Sequence, residues 1–281
     1  MRLAEIQAHI GSIHELSEIV GAMRSLAGMR LQETLRALPA AARYTEAIAA
    51  ALASTLPLMP EPVAERQEGH AKKAAVLYMA EHSFVGSFNT RLLEAAEGVL
   101  APADLLFVLG SRGSSLVTER GREMAWSAPM ATRLSSAPEV IFRLVNKLYT
   151  LIVNGEISRV EAVYGRHRQG GAPAIETRLV LPLDLKALAP KQPRQPPLLN
   201  LKPIALHESL MTEYVFAMLM EAAVESIASE NAERFAAMES AHENVEKKLQ
   251  QLKQEEGVAR QSEITTELLE LITGSDALAK S

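Results

Sequence analysis

At 281 residues with no cysteine, the chain is long enough for one or two domains with a sizeable core, and it excludes disulfides and thiolate metal sites. Hydrophobic residues make up 48% of it and aromatic residues only 4%, with Ala, Leu and Glu prominent; these side chains lose little freedom in a helix, so long helices are favoured. The net charge of −5 divides into zero over residues 1–56, +4 over 57–206 and −9 over 207–281, which excludes a basic arm for nucleic acid and leaves the acidic end as a solvated helix face.

No apolar run reaches the roughly 20 residues that span a bilayer. Met1 to His9 carry Arg2 and Glu5 and lead straight into a periodic pattern, so no signal peptide is visible. From Leu3 to about Leu38, apolar residues recur at helical spacing: Ile6, Ile10, Ile13, Leu16, Val20, Met23, Ala27 and Leu31. Pro39 is expected to interrupt this helix. An alanine-rich run, Tyr44–Leu56, resumes it, and Pro57, Pro60 and Pro62 stop it.

The middle of the chain reads as α/β. Ala74–Met79 and Asp104–Leu109 are apolar runs of strand length, each followed by a Gly-containing turn and a helical pattern, as in parallel strands with crossover helices. Pro138–Val153 reads as a further helix. Strand candidates follow around Ile157–Tyr164 and Ile175–Leu181, and a proline-rich connector, Pro190 to Pro203, closes the region. The last segment, His207–Ala277, is nearly free of breakers apart from Gly257. Its Phe235, Met238, His242, Val245, Leu249 and Leu252 step by three and four, a coiled-coil seam. Some 70 residues at ~1.5 Å rise extend on the order of 100 Å, more than a domain of this size can bury, so a second helix must cover the seam. The expected fold is an α/β body with two long helical arms forming an antiparallel coiled coil. The domain boundaries are 1–57 for the first arm, 70–203 for the central α/β domain and 207–277 for the second arm.

Gly110 to Ser115 (GSRGSS) follows a strand and opens a helix, where backbone N–H groups can bind phosphate. It lacks the lysine of a P-loop and the spacing of a dinucleotide fingerprint, so it reads as a structural turn. The seven histidines, His9, His14 and His242 among them, show no metal-ligand spacing, and no cofactor or metal is expected. His242 lies on the seam as a core or interface residue.

Several motifs are similar to the gamma subunit of F-type ATP synthases. That family carries S-E-x-A-x-R-M-x-A-M-x-x-A-x-x-N, and here Ser229, Glu230, Ala232, Arg234, Ala237, Met238, Ala241 and Asn244 stand in order, with Phe235 in place of the first Met. For A-R-Q-x-x-I-T-x-E-x-x-E-I-x-x-G the chain has Ala259, Arg260, Gln261, Ile264, Thr265, Glu267, Glu270, Leu271 and Gly274. The family's G-L-C-G-G-F-N turn is matched by Ser83 to Asn89, and its first-helix A-M by Ala22-Met23, with Gly21 where the family has lysine.

The resemblance implies a Rossmann-like central domain and a non-catalytic shaft that couples ion-driven rotation of the c-ring to ATP synthesis and hydrolysis on the β subunits. The implied partners are the α and β subunits of the catalytic hexamer, the epsilon subunit and the c-ring. The implied location is peripheral, on the cytoplasmic face of the inner membrane. Carried over residue by residue, the subunit contacts are Met23, Arg30, Val85, Arg260, Gln261, Thr265 and Glu267. Two readings of the residues stand beside it: an α/β enzyme using the Gly110–Ser115 turn for a phosphorylated substrate, with its helical arms for dimerisation, and a coiled-coil scaffold.

Overall fold

The computed structural model describes residues 3–59, 72–101, 104–168, 170–184 and 198–279. In chain order the elements are α1 (Leu3–Thr55), β1 (Lys72–Tyr78), α2 (Phe88–Glu97), β2 (Leu105–Leu109), α3 (Ser111–Glu119), β3 (Trp126–Ala128), α4 (Ala137–Val153), β4 (Ile157–Arg166), β5 (Ala174–Leu181) and α5 (Pro203–Ala279). The chain divides into two compact units, Met1–Leu26 with Phe235–Ser281, and Ala27–Arg234.

The first unit holds the start of α1 and the later part of α5. On α1 the inward residues are Ile6, Ile10, Ile13, Ser17 and Val20; on α5 they are Met238, His242, Val245, Leu249 and Leu252. Both sets step by four and three. Side-chain links join the helices among the described residues: Gln7 donates to Glu256 at 3.0 Å, Ser17 to Glu246 at 3.4 Å, and Arg24 to both carboxylate oxygens of Glu239 at 3.2 and 3.3 Å. Leu16 does not belong to the stripe: it is 43% exposed, and the half-buried Ser17 takes the inward place. Phe235, at the head of the seam, is likewise exposed. Helix α5 runs through Gly257 without a break, since one glycine costs a helix only about 1 kcal/mol.

Pro39 does not interrupt α1 either. A proline removes one backbone donor, and here its ring faces solvent. Thr34 on one side and Thr45 and Leu52 on the other are buried, so packing holds the helix on both sides of the defect. The helix ends at Thr55 and Pro57 lies in a short 3-10 turn. Pro60, Pro62 and most of the Pro190–Pro203 connector lie outside the described residues, and α5 begins at Pro203 rather than His207.

The second unit is built on a five-stranded sheet of order β3-β2-β1-β4-β5. Strands β1 to β4 run parallel to their neighbours, and β5 is antiparallel to β4. Central β1 is apolar on both faces because both are covered. Ala74, Val76 and Tyr78 face a core completed by Phe107, by Ile141, Leu144 and Leu148 of α4, and by Leu219, Ala223 and Ile227 of α5. Ala75, Leu77 and Met79 face the opposite core with Val108, Val163, and Phe88, Leu92 and Leu93 of α2. The two-residue period of the strand makes this division.

Hydrogen bonds fix α5 and α1 within this unit. The buried Tyr78 hydroxyl donates to the Leu219 carbonyl at 2.9 Å, and Ser226 Oγ donates to the Tyr78 carbonyl at 2.8 Å. Thr55 Oγ1 lies 2.8 Å from His207 Nδ1, both residues being buried. Burial lowers the His207 pKa below its ordinary value.

Gly110, between β2 and α3, has φ +111°, and a Cβ there would lie 2.4 Å from the Met79 carbonyl oxygen and 2.7 Å from that of Ala80. Backbone cannot yield to such a contact. Gly110→Ala is expected to destabilise the chain by at least about 2 kcal/mol in urea unfolding. At Gly171 a Cβ would meet nothing within 4 Å, and Gly171→Ala should change stability by less than about 0.5 kcal/mol.

Candidate functional site

The residues singled out by motif in the second unit converge on the loop that leaves β1. Phe88 opens α2 as a fully buried side chain against β4, where a Cβ on Gly165 would come within 2.5 Å of its ring. Asn89 accepts the N–H of Ala80 through Oδ1 at 2.8 Å, which closes the loop on itself. Val85 is 5% exposed and belongs to the core under β1. Its neighbour Phe84 points the other way: it is 60% exposed and has φ 64°. A bulky side chain at positive φ is a backbone outlier, so something must hold it.

Part of the hold comes from α5. Glu230 and Arg234 form an ion pair at 2.6 Å with both side chains 8% exposed. Arg234 donates to the His82 carbonyl through Nη2 and to the Ser83 carbonyl through Nε, each at 3.3 Å. Burial pushes the Glu230 carboxyl up, and the Arg234 guanidinium, His82 and the N–H of Glu81 pull it back. One turn away, Glu233 pairs with Arg91 of α2, which also donates to the Pro173 carbonyl at 2.9 Å. The motif residues Glu230 and Arg234 are thus a clamp on the turn that the other motif forms.

The opposite side of the loop meets the Gly110–Ser115 segment. Glu81 Oε2 accepts the N–H groups of Ser111 at 2.9 Å and Met130 at 2.8 Å, and Oε1 accepts the Ser111 hydroxyl at 2.7 Å. The N-terminus of α3, where a phosphate would be drawn, is therefore filled by a carboxylate of the chain itself. Gly113 is equally committed to packing, since a Cβ there would fall 2.2 Å from Met79 Cβ. Sequence reading missed Glu81, whose partners lie 30 and 49 positions away. It also missed Phe84; an aromatic beside a glycine turn was the signal for it.

The remaining predicted contact residues are spread along the two long helices. Met23 is half-buried in the first unit, and Arg30 is half-buried on the part of α1 in the second. Arg260, Gln261, Thr265 and Glu267 are all exposed on α5. Arg260 pairs with Glu256 at 3.0 Å, and the Thr265 hydroxyl donates to the Gln261 carbonyl at 2.8 Å. No group of three or more His, Asp or Glu suited to a metal ion occurs among the described residues. Among those residues, too, no helix is long and apolar enough to cross a membrane.

The family model described as ATP synthase matches residues 2–278. The chain belongs to the ATP synthase gamma-chain family. It is 25% identical to the ATP synthase gamma chain of Chlorobaculum tepidum over 292 residues, covering 98% of each chain. It is 27% identical to that of Beutenbergia cavernae over 286 residues, with 97% of this chain and 96% of the relative covered. Among solved structures it is similar in fold to a chain of the Euglena gracilis mitochondrial ATP synthase OSCP/F1/c-ring assembly, with TM-score 0.73, 16% identity, and 98% and 94% of the two chains covered. A chain of the Tetrahymena thermophila central stalk and c-ring gives TM-score 0.55 at 14% identity, covering 79% of this chain and 99% of that one.

A gamma chain is a non-catalytic subunit of the central stalk, and the filled α3 N-terminus accords with that role. Calorimetric titration of the isolated gamma chain with Mg-ATP should register no binding in the micromolar range. Micromolar affinity abolished by changes at Gly110–Ser115 would instead restore the phosphate-binding enzyme.

Proposed function

We propose that this chain turns as the central shaft of a rotary ATP synthase, coupling ion flow through a c-ring to nucleotide exchange on a ring of α and β subunits. The observation that carries the proposal is the matched stepping of the links in the first unit. From Gln7 to Ser17 is ten residues up α1, and from Glu256 to Glu246 is ten residues down α5; from Ser17 to Arg24 is seven up, and from Glu246 to Glu239 seven down. Equal and opposite steps support an antiparallel coiled coil, with Ile6–Val20 along Met238–Leu252. Two helices sharing one seam resist bending and twisting better than one, which a lever transmitting torque requires.

On this reading residues 1–57 and 207–277 are the arms of the shaft, and 70–203 are its Rossmann-like base towards the epsilon subunit and c-ring. The complex sits peripherally on the cytoplasmic face of the membrane. Met23, Arg30, Arg260, Gln261, Thr265 and Glu267 meet the ring of catalytic subunits. At the Ser83–Asn89 turn the contact passes from Val85, which packs inward, to the exposed Phe84. As the asymmetric shaft turns, it favours a different conformation of each β subunit in succession, and the differing nucleotide affinities of those conformations drive exchange. The sources of the fold neighbours, an OSCP/F1/c-ring assembly and a central stalk with c-ring, support these partners.

Two experiments test the assignment. Arg260→Ala with Gln261→Ala should lower coupled ion pumping or assembly severalfold and change the stability of the isolated chain by less than about 0.5 kcal/mol, because both side chains are exposed until a partner covers them. Unchanged pumping and assembly would remove these residues from the interface. The second uses the absence of native cysteine: Phe84→Cys puts a single thiol on this chain. Oxidised to a cysteine on the rim of one β subunit, it should stop multi-turnover ATP hydrolysis, and reduction should restore it. A bridge to the c-ring should leave hydrolysis running. Full hydrolysis with the β bridge closed would show that the chain need not rotate.

A further inference from the structure

We propose that Glu81 is the positioning residue for the Phe84 turn, tying it to the sheet so that force on Phe84 is carried into the body instead of being absorbed by the loop. The inference rests on the reading that this turn bears on the catalytic ring, and it adds the residue that makes the contact stiff.

The argument begins with a loop that has reason to be soft. It leaves β1 at Tyr78, contains a left-handed Phe84 and a left-handed Gly86, and regains regular structure only at Phe88. A segment with two residues at positive φ relaxes readily unless its surroundings over-determine it. Three anchors do so. Arg234 holds the carbonyls of His82 and Ser83 from the α5 side, and Val85 is seated in the core. Glu81 supplies the third from the other side. Its carboxylate takes both donors of Ser111 at the start of α3 and the N–H of Met130 beyond β3, at 2.7 to 2.9 Å. Charge-assisted bonds of this length to a helix N-terminus are among the stronger a side chain can make.

Glu81 also joins the two clamps. Its own N–H helps hold down the pKa of the Glu230 carboxyl, and Glu230 pairs with Arg234. The carbonyl of Glu81 accepts the N–H of Arg112 at 3.3 Å, and that of Ala80 accepts Gly113 at 3.1 Å. Thus Glu81 is engaged by its carbonyl with α3 and by its side chain with α3 and the loop after β3. The residue lies three positions before Phe84, close enough to set its direction. No side chain of the 82–86 segment bridges to α3 or to Met130 in the hydrogen-bond pattern of the described residues.

The test uses full-length chain carrying Glu81→Ala, Glu81→Gln, Phe84→Ala or the Glu81→Ala/Phe84→Ala pair, free and assembled in the complex. Two quantities are read: amide exchange over residues 82–88, and ions pumped per ATP hydrolysed. In Glu81→Ala, exchange over 82–88 should rise tenfold or more while the β1 and β2 amides keep their protection. Pumping per ATP should fall to the Phe84→Ala level, and the pair should be no worse than either single change, since both act on one element. Glu81→Gln keeps one acceptor oxygen in the same place and should recover part of both quantities.

Unchanged exchange at 82–88 in Glu81→Ala overturns the positioning role. So does normal pumping in Glu81→Ala when Phe84→Ala has lost it. Normal pumping in Phe84→Ala sinks instead the reading that the turn bears on the ring, and the exchange data then still decide what Glu81 does. Because exchange is read on the free chain as well, a variant that fails to assemble decides the point too.

Discussion

A buried ion pair governs how the second unit is put together. With both side chains of Glu230 and Arg234 almost wholly removed from water, neither charge can be left alone without a loss of several kcal/mol. Arg234 also bonds the backbone of His82 and Ser83, so α5 can neither slide nor turn on the sheet without stranding a charge. The register of α5 along β1 follows, and with it the bonds of Leu219 and Ser226 to Tyr78. Apolar contact along Ala217–Ile227 supplies most of the stabilisation of this packing, being non-directional and proportional to area. The ion pair supplies the choice among the registers that such an alanine-rich surface would accept.

What could be read beforehand was whatever leaves a period in the sequence. Strands β1, β2, β4 and β5 fall within two residues of their expected bounds, because each is an apolar run closed by turn residues. Strand β3 is three residues long with Trp126 only half-buried, too short to show alternation. Pro39 misled because the rule against proline is local, while α1 is held from outside by residues on both sides of it. Leu16 misled for a related reason. Apolar character placed it on the stripe, but the strict step of four and three selects Ser17, whose hydroxyl reaches Glu246. Glu230 and Arg234 were visible only through resemblance, and Val85 was placed on a surface that the fold assigns to Phe84. Glu81 had no signal at all: an acidic residue after a strand is ordinary until folding brings Ser111 and Met130 to it.

The α/β body has the sheet order and glycine turns that elsewhere accommodate nucleotides, and among the described residues two of the places where a ligand would lie are taken by the chain itself. Phe88 and Ser229 occupy the space beside Gly165 next to β1 and β4. Glu81 covers the N-terminus of α3. Gly110 and Gly113 are required by contacts with the Met79 backbone and side chain, so these glycines serve packing. Fold therefore decides little about function here. The same positions that would carry chemistry in an enzyme are used to fasten the segment leaving β1, and a subunit whose work is mechanical gains stiffness from closing them.

Phe84 is where local preference and structure disagree most. Backbone at φ 64° favours Gly or Asn, and a side chain 60% exposed to water favours a polar residue, so the fold on its own selects against phenylalanine twice over. Among the described residues the ring packs into neither core cluster of the second unit. The neighbouring residues are meanwhile held more firmly than a surface turn requires, by Arg234 on one side and Glu81 on the other. A rigid mount under an unfavourable, outward-facing aromatic has a use when that ring meets a second surface. The burial forgone in the free chain is then recovered on contact, and the entropy of ordering the turn has already been met by folding. In a stalk that must present the same face to one partner after another, that arrangement makes each encounter a matter of position alone.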